Sequence, residues 1–140
     1  MTAATVSYPA VYGPRFGNKV PNAGLTCQTL AHTWLTAETD ETNDTVEFGY
    51  LPGGVVVVGF INYSADIDTG SSALRQTIKL GTTSLKTAST VASTGGGEFV
   101  AIVPQVLSEP TLVSVVTTTG ANAHTNGVQY LTFLYYSGES

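Results

Sequence analysis

Short runs in which apolar and polar residues alternate, separated by turns rich in glycine and proline, fill most of this chain. In residues 45–50, Val46, Phe48 and Tyr50 fall on one side, and residues 128–136 alternate in the same way. A period of two residues is that of a half-buried strand, and no segment has a clear helical period. About seven or eight such strands predict a single all-β domain, either a two-sheet β-sandwich or a jelly roll.

Two of these runs carry features that bear on their place in a sheet. Residues 55–63 form the most apolar run of the chain, which predicts a central strand with both faces buried. Residues 99–103 predict a short strand that stops at Pro104, because proline has no N–H group to donate to a neighbouring strand. The three glycines at 95–97 predict a flexible turn, and residues 84–93 predict no definite element.

The chain is poor in charge. Charged residues make up 11% of its 140 residues, against about 25% in an average soluble domain. With a net charge of −5 and five lysines and arginines in all, it lacks the clustered cations that bind the phosphate backbone of a nucleic acid. A surface with few charges is buried against other proteins at a low desolvation cost, which favours a component of an assembly.

Signals for export or membrane insertion do not stand out in the sequence. There is no basic segment followed by an apolar one at the N-terminus, and no apolar run approaches the ~20 residues of a membrane span. We expect a soluble protein made in the cytosol, with no membrane partner. The single cysteine, Cys27, cannot form an internal disulfide, and a buried structural thiol is the favoured interpretation.

The first 24 residues differ from the rest. Three prolines and three glycines interrupt them, and their apolar residues follow no period, so they predict an extended N-terminal arm at 1–24 ahead of a β-sandwich domain at 25–140. An arm with several large aromatic side chains needs a surface that buries them, which favours contact with a neighbouring subunit. The alternative is a terminus that packs loosely on its own domain.

Sequence motifs of familiar catalytic sites are missing. Neither the G-x-S-x-G nucleophile elbow nor a phosphate-binding P-loop occurs. His32, which falls two residues from Trp34 in a predicted strand, is interpreted as structural, and His124 as solvated or hydrogen-bonded within a polar loop. No second histidine or cysteine stands at metal-ligand spacing from either. We therefore expect a protein that is not an enzyme and uses no cofactor and no metal ion.

Acidic residues occur in two groups. Asp66 and Asp68 open a segment that begins like an EF-hand loop, but its twelfth position is Thr77 instead of glutamate. We interpret both as solvated loop acids, with a surface cation site as the alternative. The second group lies within residues 38–47 and is interpreted in the same way. A carboxylate pair for glycoside hydrolysis stays open, although no aromatic residues flank these loops.

Three segments carry a resemblance to a known family. The turn Leu51-Pro52-Gly53-Gly54 before a hydrophobic strand, the strand at 77–81 that ends in Leu-Gly, and the closing strand at 126–136 are similar to segments of the head-decoration, or cement, proteins of tailed bacteriophages. The resemblance implies a jelly-roll-like domain, usually a homotrimer. It implies a structural virion protein that binds the major capsid protein on the capsid exterior and clamps neighbouring subunits.

Under this resemblance, the N-terminal arm supplies the contacts to the capsid or to other subunits. The aromatic residues would act as anchors and the cations as partners for capsid carboxylates. The residues concerned are Tyr8, Tyr12, Arg15, Phe16 and Lys19.

Other functions stay open at this stage. The first is a carbohydrate- or receptor-binding β-sandwich of a phage tail or other surface, with Trp34, Tyr63 and the loop at 122–126 as candidate contacts. A minor structural protein of the neck or tail, an all-β enzyme and a β-domain unrelated to viruses are the remaining alternatives.

Overall fold

The structure is a computed structural model that describes residues 24–35 and 44–137. Within these ranges the chain forms eight strands and one helical turn. In chain order they are β1 (Thr26–Trp34), β2 (Thr45–Leu51), β3 (Val55–Ser64), β4 (Arg75–Leu80), β5 (Thr83–Ser89), α1 (Val91–Thr94), β6 (Gly96–Leu107), β7 (Thr111–Thr119) and β8 (Gly127–Ser137). The all-β prediction is confirmed. The helical turn α1, with four residues, is the one helix in these ranges and is far too short to cross a membrane.

The strands form two antiparallel four-stranded sheets. The first sheet has the order β1-β8-β3-β6 and the second has the order β2-β7-β4-β5. Strands of the first half pair with strands of the second half in mirror order: β1 with β8, β2 with β7, β3 with β6, and β4 with β5. The chain is thus one long hairpin wrapped into two sheets, which is the jelly-roll arrangement.

Aromatic and branched side chains fill the space between the two sheets. Residues of β8 alternate between the two sides of the sheet, as the sequence predicts, and the structure places Leu131 and Phe133 on the inner side, where both are fully buried. The rings of Phe60 and Phe133 stack with centroids 5.2 Å apart, so adjacent strands of the first sheet share one packed centre. The largest fully buried apolar side chains are Trp34, Leu51, Phe60, Ile67, Leu74, Ile78, Leu131 and Phe133.

A row of buried polar side chains crosses the core from one sheet to the other. Trp34 donates its indole N–H to Oε1 of Gln129 at 2.9 Å. Gln129 donates from Nε2 to Oδ1 of Asn62 at 2.8 Å and to Oε1 of Gln76 at 3.1 Å. Asn62 continues the row by donating to Oγ of Ser89 at 3.3 Å. Because buried polar groups must be paired, these bonds specify how the two sheets sit against each other.

Two buried polar atoms near this row lack a hydrogen-bond partner among the described residues: Nε2 of Gln76 and Oγ1 of Thr117. We expect T117V to raise the free energy of unfolding by up to about 1 kcal/mol, because it removes an unpaired buried hydroxyl with little change of shape. Denaturant unfolding measures the change. The matched control is T132V, in which a hydroxyl paired with Thr29 at 2.9 Å is lost, and we expect a small decrease. A large loss of stability in T117V would contradict the assignment.

The prediction for β3 is confirmed in part. The strand is central, because it pairs with both β6 and β8. Both of its faces are buried from Val55 to Phe60, apart from the half-buried Val58, whereas Ile61 and Tyr63 are 40% and 55% exposed. The prediction of two buried faces is wrong for the second half because the described residues leave the outer side of the first sheet uncovered there.

The predicted orientation of Tyr50 is wrong, because the register of β2 shifts before this residue. The pairing of β2 with β7 slips between Glu47 and Gly49, as in a β-bulge. One extra residue reverses the direction of every later side chain. Phe48 is buried as predicted. After the shift, Leu51 takes the next core position, and Tyr50 points outward and is 59% exposed.

The strand around Pro104 is longer than predicted. β6 runs through the proline to Leu107, because it is an edge strand that pairs only with β3 in the first sheet. Val57 and Gly59 of β3 pair with Gln105 and Ala101, so Pro104 lies in a stretch of β6 that has no partner residue on β3. A proline without an N–H group is tolerated at such a place.

The predicted glycine turn and the undefined segment before it both take part in regular secondary structure. Of the three glycines predicted to form a turn, Gly96 and Gly97 begin β6, and only Gly95 remains outside, at the end of α1. Gly95 has φ +79°, a conformation that glycine adopts without strain. The undefined residues before it form β5 and α1.

Candidate interaction surface

The residues that the sequence predicts as the interface, Tyr8, Tyr12, Arg15, Phe16 and Lys19, lie outside the described residues. Their role, and that of the arm at 1–24, stays a prediction. Most of the acidic group at 38–47 lies outside them too.

The outer side of the first sheet presents apolar and small side chains. Because every second residue of a strand points away from the core, the outward residues of neighbouring strands form rows across the sheet. We call this surface the apolar face. Its rows, from β6 to β1, are Gly97, Tyr63, Tyr130 and Ala31; then Phe99, Ile61, Thr132 and Thr29; then Ala101, Gly59, Leu134 and Cys27; and, at the end of the sheet, Val106, Val56 and Tyr136.

None of these residues carries a charge, and several are large, apolar and exposed. Phe99 is 61% exposed and Val106 is 75% exposed, and Tyr130 and Tyr136 also reach solvent. Soluble monomers rarely leave a continuous apolar surface of more than a few hundred Å². The apolar face therefore has the character of a contact surface.

The outer side of the second sheet is different. Glu47 of β2 and Lys79 of β4 both pair with Ser114 of β7, which places a row of polar and charged side chains across that sheet. Arg75 lies on the same side at the start of β4. The two outer sides thus differ in chemistry, and the described residues make the apolar face the better candidate for contact with another protein.

The apolar face is higher on one side than on the other. The ring of Phe99 lies over Gly59, where a Cβ atom would come within 3.1 Å of the ring and 3.0 Å of the Val100 carbonyl oxygen. Tyr63 stands next to Tyr130 with ring centroids 6.4 Å apart. Aromatic rings therefore stand on β6, β3 and β8, three of the four strands of the face.

Small residues form the other side of the face, along β1. Its outward residues are Cys27, Thr29, Ala31 and Thr33, all of them exposed. The expectation that Cys27 is a buried thiol is wrong, since its side chain points away from the core at the sheet edge. The sequence could not distinguish the two directions because the inward residues of β1 are of mixed polarity.

Histidines and the tryptophan take structural places. His32 packs edge-on against Trp34, with ring centroids 4.9 Å apart. His124 makes a 2.8 Å hydrogen bond between Nε2 and Oδ1 of Asn126 within its loop. Trp34 is fully buried, so it cannot contribute to a sugar-binding platform, whereas Tyr63 is exposed. In the described part of the chain, no group of three His, Cys, Asp or Glu residues could hold a metal ion.

Asp68 is not a solvated loop acid, and that prediction is wrong. Its side chain is fully buried. Oδ2 accepts hydrogen bonds from the backbone N–H groups of Ala73 and Leu74 at 2.8 and 2.9 Å. Oδ1 accepts bonds from Ala123 at 2.9 Å and from Gly70 at 3.3 Å. The carboxylate thus ties the loop before β4 to the loop before β8, and it satisfies backbone groups that no strand pairs.

The same bonds set the ionisation of Asp68. Burial raises its pKa, but hydrogen bonds from backbone N–H groups, chiefly those of Ala123 and Asn122, outweigh burial and lower the pKa from 3.8 to about 2. The side chain is therefore a carboxylate at neutral pH. Asp66 is exposed and accepts one hydrogen bond, from the N–H group of Asp68 at 3.0 Å.

A groove with a volume of about 360 Å³ separates the edge strands of the two sheets. Its walls come from β5, including Leu85, and from β6, including Ile102 and Gln105. None of the residues that line it is ionisable. Within the described residues, its chemistry suits contact with another chain better than catalysis.

Comparisons with known proteins identify the fold. No protein-family model and no curated protein matches the sequence. A chain of the cyanophage Pam1 capsid asymmetric unit is similar in structure, with a TM-score of 0.72 and 20% sequence identity over 98% of this chain and 99% of that chain. A chain of the capsid of Ralstonia phage GP4 has a TM-score of 0.65 and 21% identity, over 98% of this chain and 92% of that one.

A third similar structure is a chain of the acidic stable capsid of Helicobacter pylori bacteriophage KHP30, with a TM-score of 0.54 and 12% identity over 81% of this chain and 89% of that one. The protein therefore shares its jelly-roll fold with chains that occur in the capsid structures of three bacteriophages.

Proposed function

We propose that this protein is a structural component of a phage virion that binds the outside of the capsid and stabilises it by clamping neighbouring capsid subunits. It acts as a homotrimer, is made in the host cytoplasm, and has the major capsid protein as its partner. It performs no catalysis in this role.

The observation that carries the proposal is the exposed, uncharged apolar face on a jelly-roll domain. An exposed face with Phe99, Tyr63 and Val106 promotes aggregation of a monomer, whereas in an assembly the same face can be buried against another protein. The likeness in fold to capsid chains extends over almost the full length of both chains, which supports the same setting.

The stability that clamping adds to a capsid depends on the area of each interface and on the number of interfaces that one trimer forms. A specific interface buries ~1,200–2,000 Å² in total, and a trimer that binds several capsid subunits at once gains avidity without new types of contact. The proposal assigns the capsid contacts to the N-terminal arm, with Tyr8, Tyr12 and Phe16 as anchors. Arg15 and Lys19 pair with carboxylates of the capsid.

Binding to capsids that lack the protein tests this function. Capsids of the phage that encodes the chain, prepared from a mutant without it, are mixed with the purified protein and sedimented. We expect saturable binding and a higher temperature of capsid disruption. Deletion of residues 1–24 is expected to abolish binding while the isolated domain keeps its unfolding transition.

Three outcomes bear on the proposal. Capsids that sediment without the protein, or that bind it with no gain in thermal stability, contradict the clamping role. Binding that survives deletion of residues 1–24 contradicts the arm assignment. Specific glycan binding by the full chain on a glycan array would favour the alternative of a carbohydrate-binding module. Tyr63 and Tyr130 are the exposed aromatic pair that would contact the sugar.

A further inference from the structure

We propose that the outer edge of β1 is a docking site for an extended strand of a capsid subunit, which joins the first sheet as a fifth strand beside β1. The inference rests on the proposed function for the identity of the partner, and it names the element of this chain that the partner contacts. The backbone N–H and C=O groups of β1 that point away from β8 receive the added strand.

The four edge strands of the two sheets differ in how they are protected. β1 and β6 are the edges of the first sheet, and β2 and β5 are those of the second. An edge strand exposes a row of unpaired backbone groups, so natural proteins block strand addition there with prolines, bulges, charges or short strands. An edge that lacks these features is the one that can accept another chain.

Three of the four edges carry such features. β6 contains Pro104 and a register shift against β3, and β5 has two register shifts against β4. An ion pair between Lys86 of β5 and Glu98 of β6, at 3.8 Å, also places charges on both of these strands. β2 has a register shift between Glu47 and Gly49, and the first of these residues is charged.

β1 has none of these features. Its nine residues, Thr26–Trp34, pair with β8 in one continuous register. They include no proline, glycine, lysine, arginine, aspartate or glutamate. Among the described residues, no strand pairs with the other edge of β1. At about 3.3 Å per residue, this edge is roughly 30 Å long, which is enough for a full strand.

The side chains of β1 define the chemistry of the added strand. Cys27, Thr29 and Ala31 point outward, are small and uncharged, and form the border of the apolar face. Gln28 and Leu30, between them, are uncharged as well. A charged side chain beside them would lose water without gaining a partner. We therefore expect a segment of uncharged, small or β-branched residues, which pair well across strands.

The place of β1 in the chain favours a capsid subunit as the source of this strand. The arm at 1–24, to which the proposed function assigns the capsid contacts, leads directly into β1, which begins at Thr26. A subunit that the arm holds is therefore within reach of the edge of β1, whereas β6 lies at the opposite edge of the same sheet. Two linked contacts with one capsid also raise the avidity of binding.

Hydrogen exchange of the backbone amides, with and without capsids that lack the protein, tests the docking. In the free full chain, about half of the β1 amides point away from β8, and we expect these to exchange rapidly. On the capsid we expect about four amides within residues 26–34 to become protected. The control is β6, residues 96–107, at the opposite edge, whose exchange is expected to stay unchanged.

Cross-linking identifies the occupant of the edge. Cys27 is the single cysteine, is exposed and lies on β1, so it can carry a thiol-reactive photo-crosslinker. On capsids we expect it to capture one segment of the major capsid protein, which mass spectrometry identifies. The matched control carries the label on β6, as V103C in a C27S background, and is expected to capture none of that segment. Val103 is 79% exposed.

Proline substitutions test the backbone groups themselves. Consecutive residues of a strand direct their N–H groups to opposite sides, so one of Q28P and T29P removes a bond to β8 and the other removes a group from the outer edge alone. The variant whose unfolding transition stays closer to wild type is the one to test. We expect it to bind capsids about tenfold more weakly.

The outcomes separate this inference from the proposed function. Capsid binding without added protection of β1 overturns the inference and leaves the function standing. A cross-link only to the chain itself or to a second copy does the same, and so does wild-type affinity in the tested proline variant. Protection of β1 already in the free protein also overturns the inference, because another segment or copy of this chain then holds the edge. A wild-type chain that does not bind capsids contradicts both proposals.

Discussion

Replacement of Asp68 by asparagine is expected to lower the free energy of unfolding at neutral pH by about 2–4 kcal/mol. Each carboxylate oxygen accepts two backbone N–H groups. An asparagine keeps one acceptor oxygen and turns an NH₂ group toward two of those donors, so two buried N–H groups lose their partners. Denaturant unfolding followed by tryptophan fluorescence measures the change.

The control for this prediction lies two residues away. Asp66 is exposed and accepts a single backbone hydrogen bond, so D66N is expected to change the free energy of unfolding by less than about 1 kcal/mol. Equal effects of D66N and D68N would contradict the view that Asp68 is the group that holds the two loops together.

The lowered pKa of Asp68 adds a pH dependence to the same comparison. The pKa falls from 3.8 to about 2 on folding, so the carboxylate stabilises the fold fully above about pH 4. That contribution, on the order of 2 kcal/mol, is lost as the pH falls through about 2. The difference in stability between wild type and D68N should therefore narrow between pH 4 and pH 2. A difference that stays constant over this range would show that ionisation of Asp68 does not stabilise the fold.

The second large effect is expected for Q129L, a loss of about 3–5 kcal/mol in the free energy of unfolding. Leucine fits the space of glutamine but removes both ends of the bridge across the core. The indole N–H of Trp34 and the side-chain oxygens of Asn62 and Gln76 all lose their partner in a buried setting. Since Trp34 is the single tryptophan, its emission reports directly on the loss of that hydrogen bond.

The same substitution at Gln28 is the matched control. Gln28 is half-buried and bonds to the hydroxyl of Tyr135 at 3.0 Å and to the carbonyl of Tyr50 at 3.1 Å, where water can replace it. We expect Q28L to cost less than about 1 kcal/mol. An unchanged free energy of unfolding in Q129L would mean that the polar row makes no net contribution to stability. This happens when apolar packing can replace a whole polar network.

Much of the fold could be predicted from local patterns. The alternation along β8 is visible in the sequence because a strand that lies on a core has a period of two. Both of its sides are largely apolar, so only the structure shows that Gln129, Leu131 and Phe133 face the core. The low charge of the chain also predicted a component of an assembly, because a surface with few charged groups has a low desolvation cost when another protein covers it.

What depended on distant contacts could not be predicted in this way. Asp68 and its donor Ala123 are 55 residues apart, so nothing near Asp68 in the sequence distinguishes a buried acceptor from a solvated acid. Pro104 ends a strand only if that strand is paired on both sides, and the edge position of β6 is a property of the whole sheet.

The candidate site shows the same division. An all-β domain with alternating strands and few charges could be predicted, because those features follow from residue type and period. The outward residues of β1, β8, β3 and β6 meet on one uncharged face only through tertiary contacts, because strands distant in sequence become neighbours when the long hairpin wraps into two sheets.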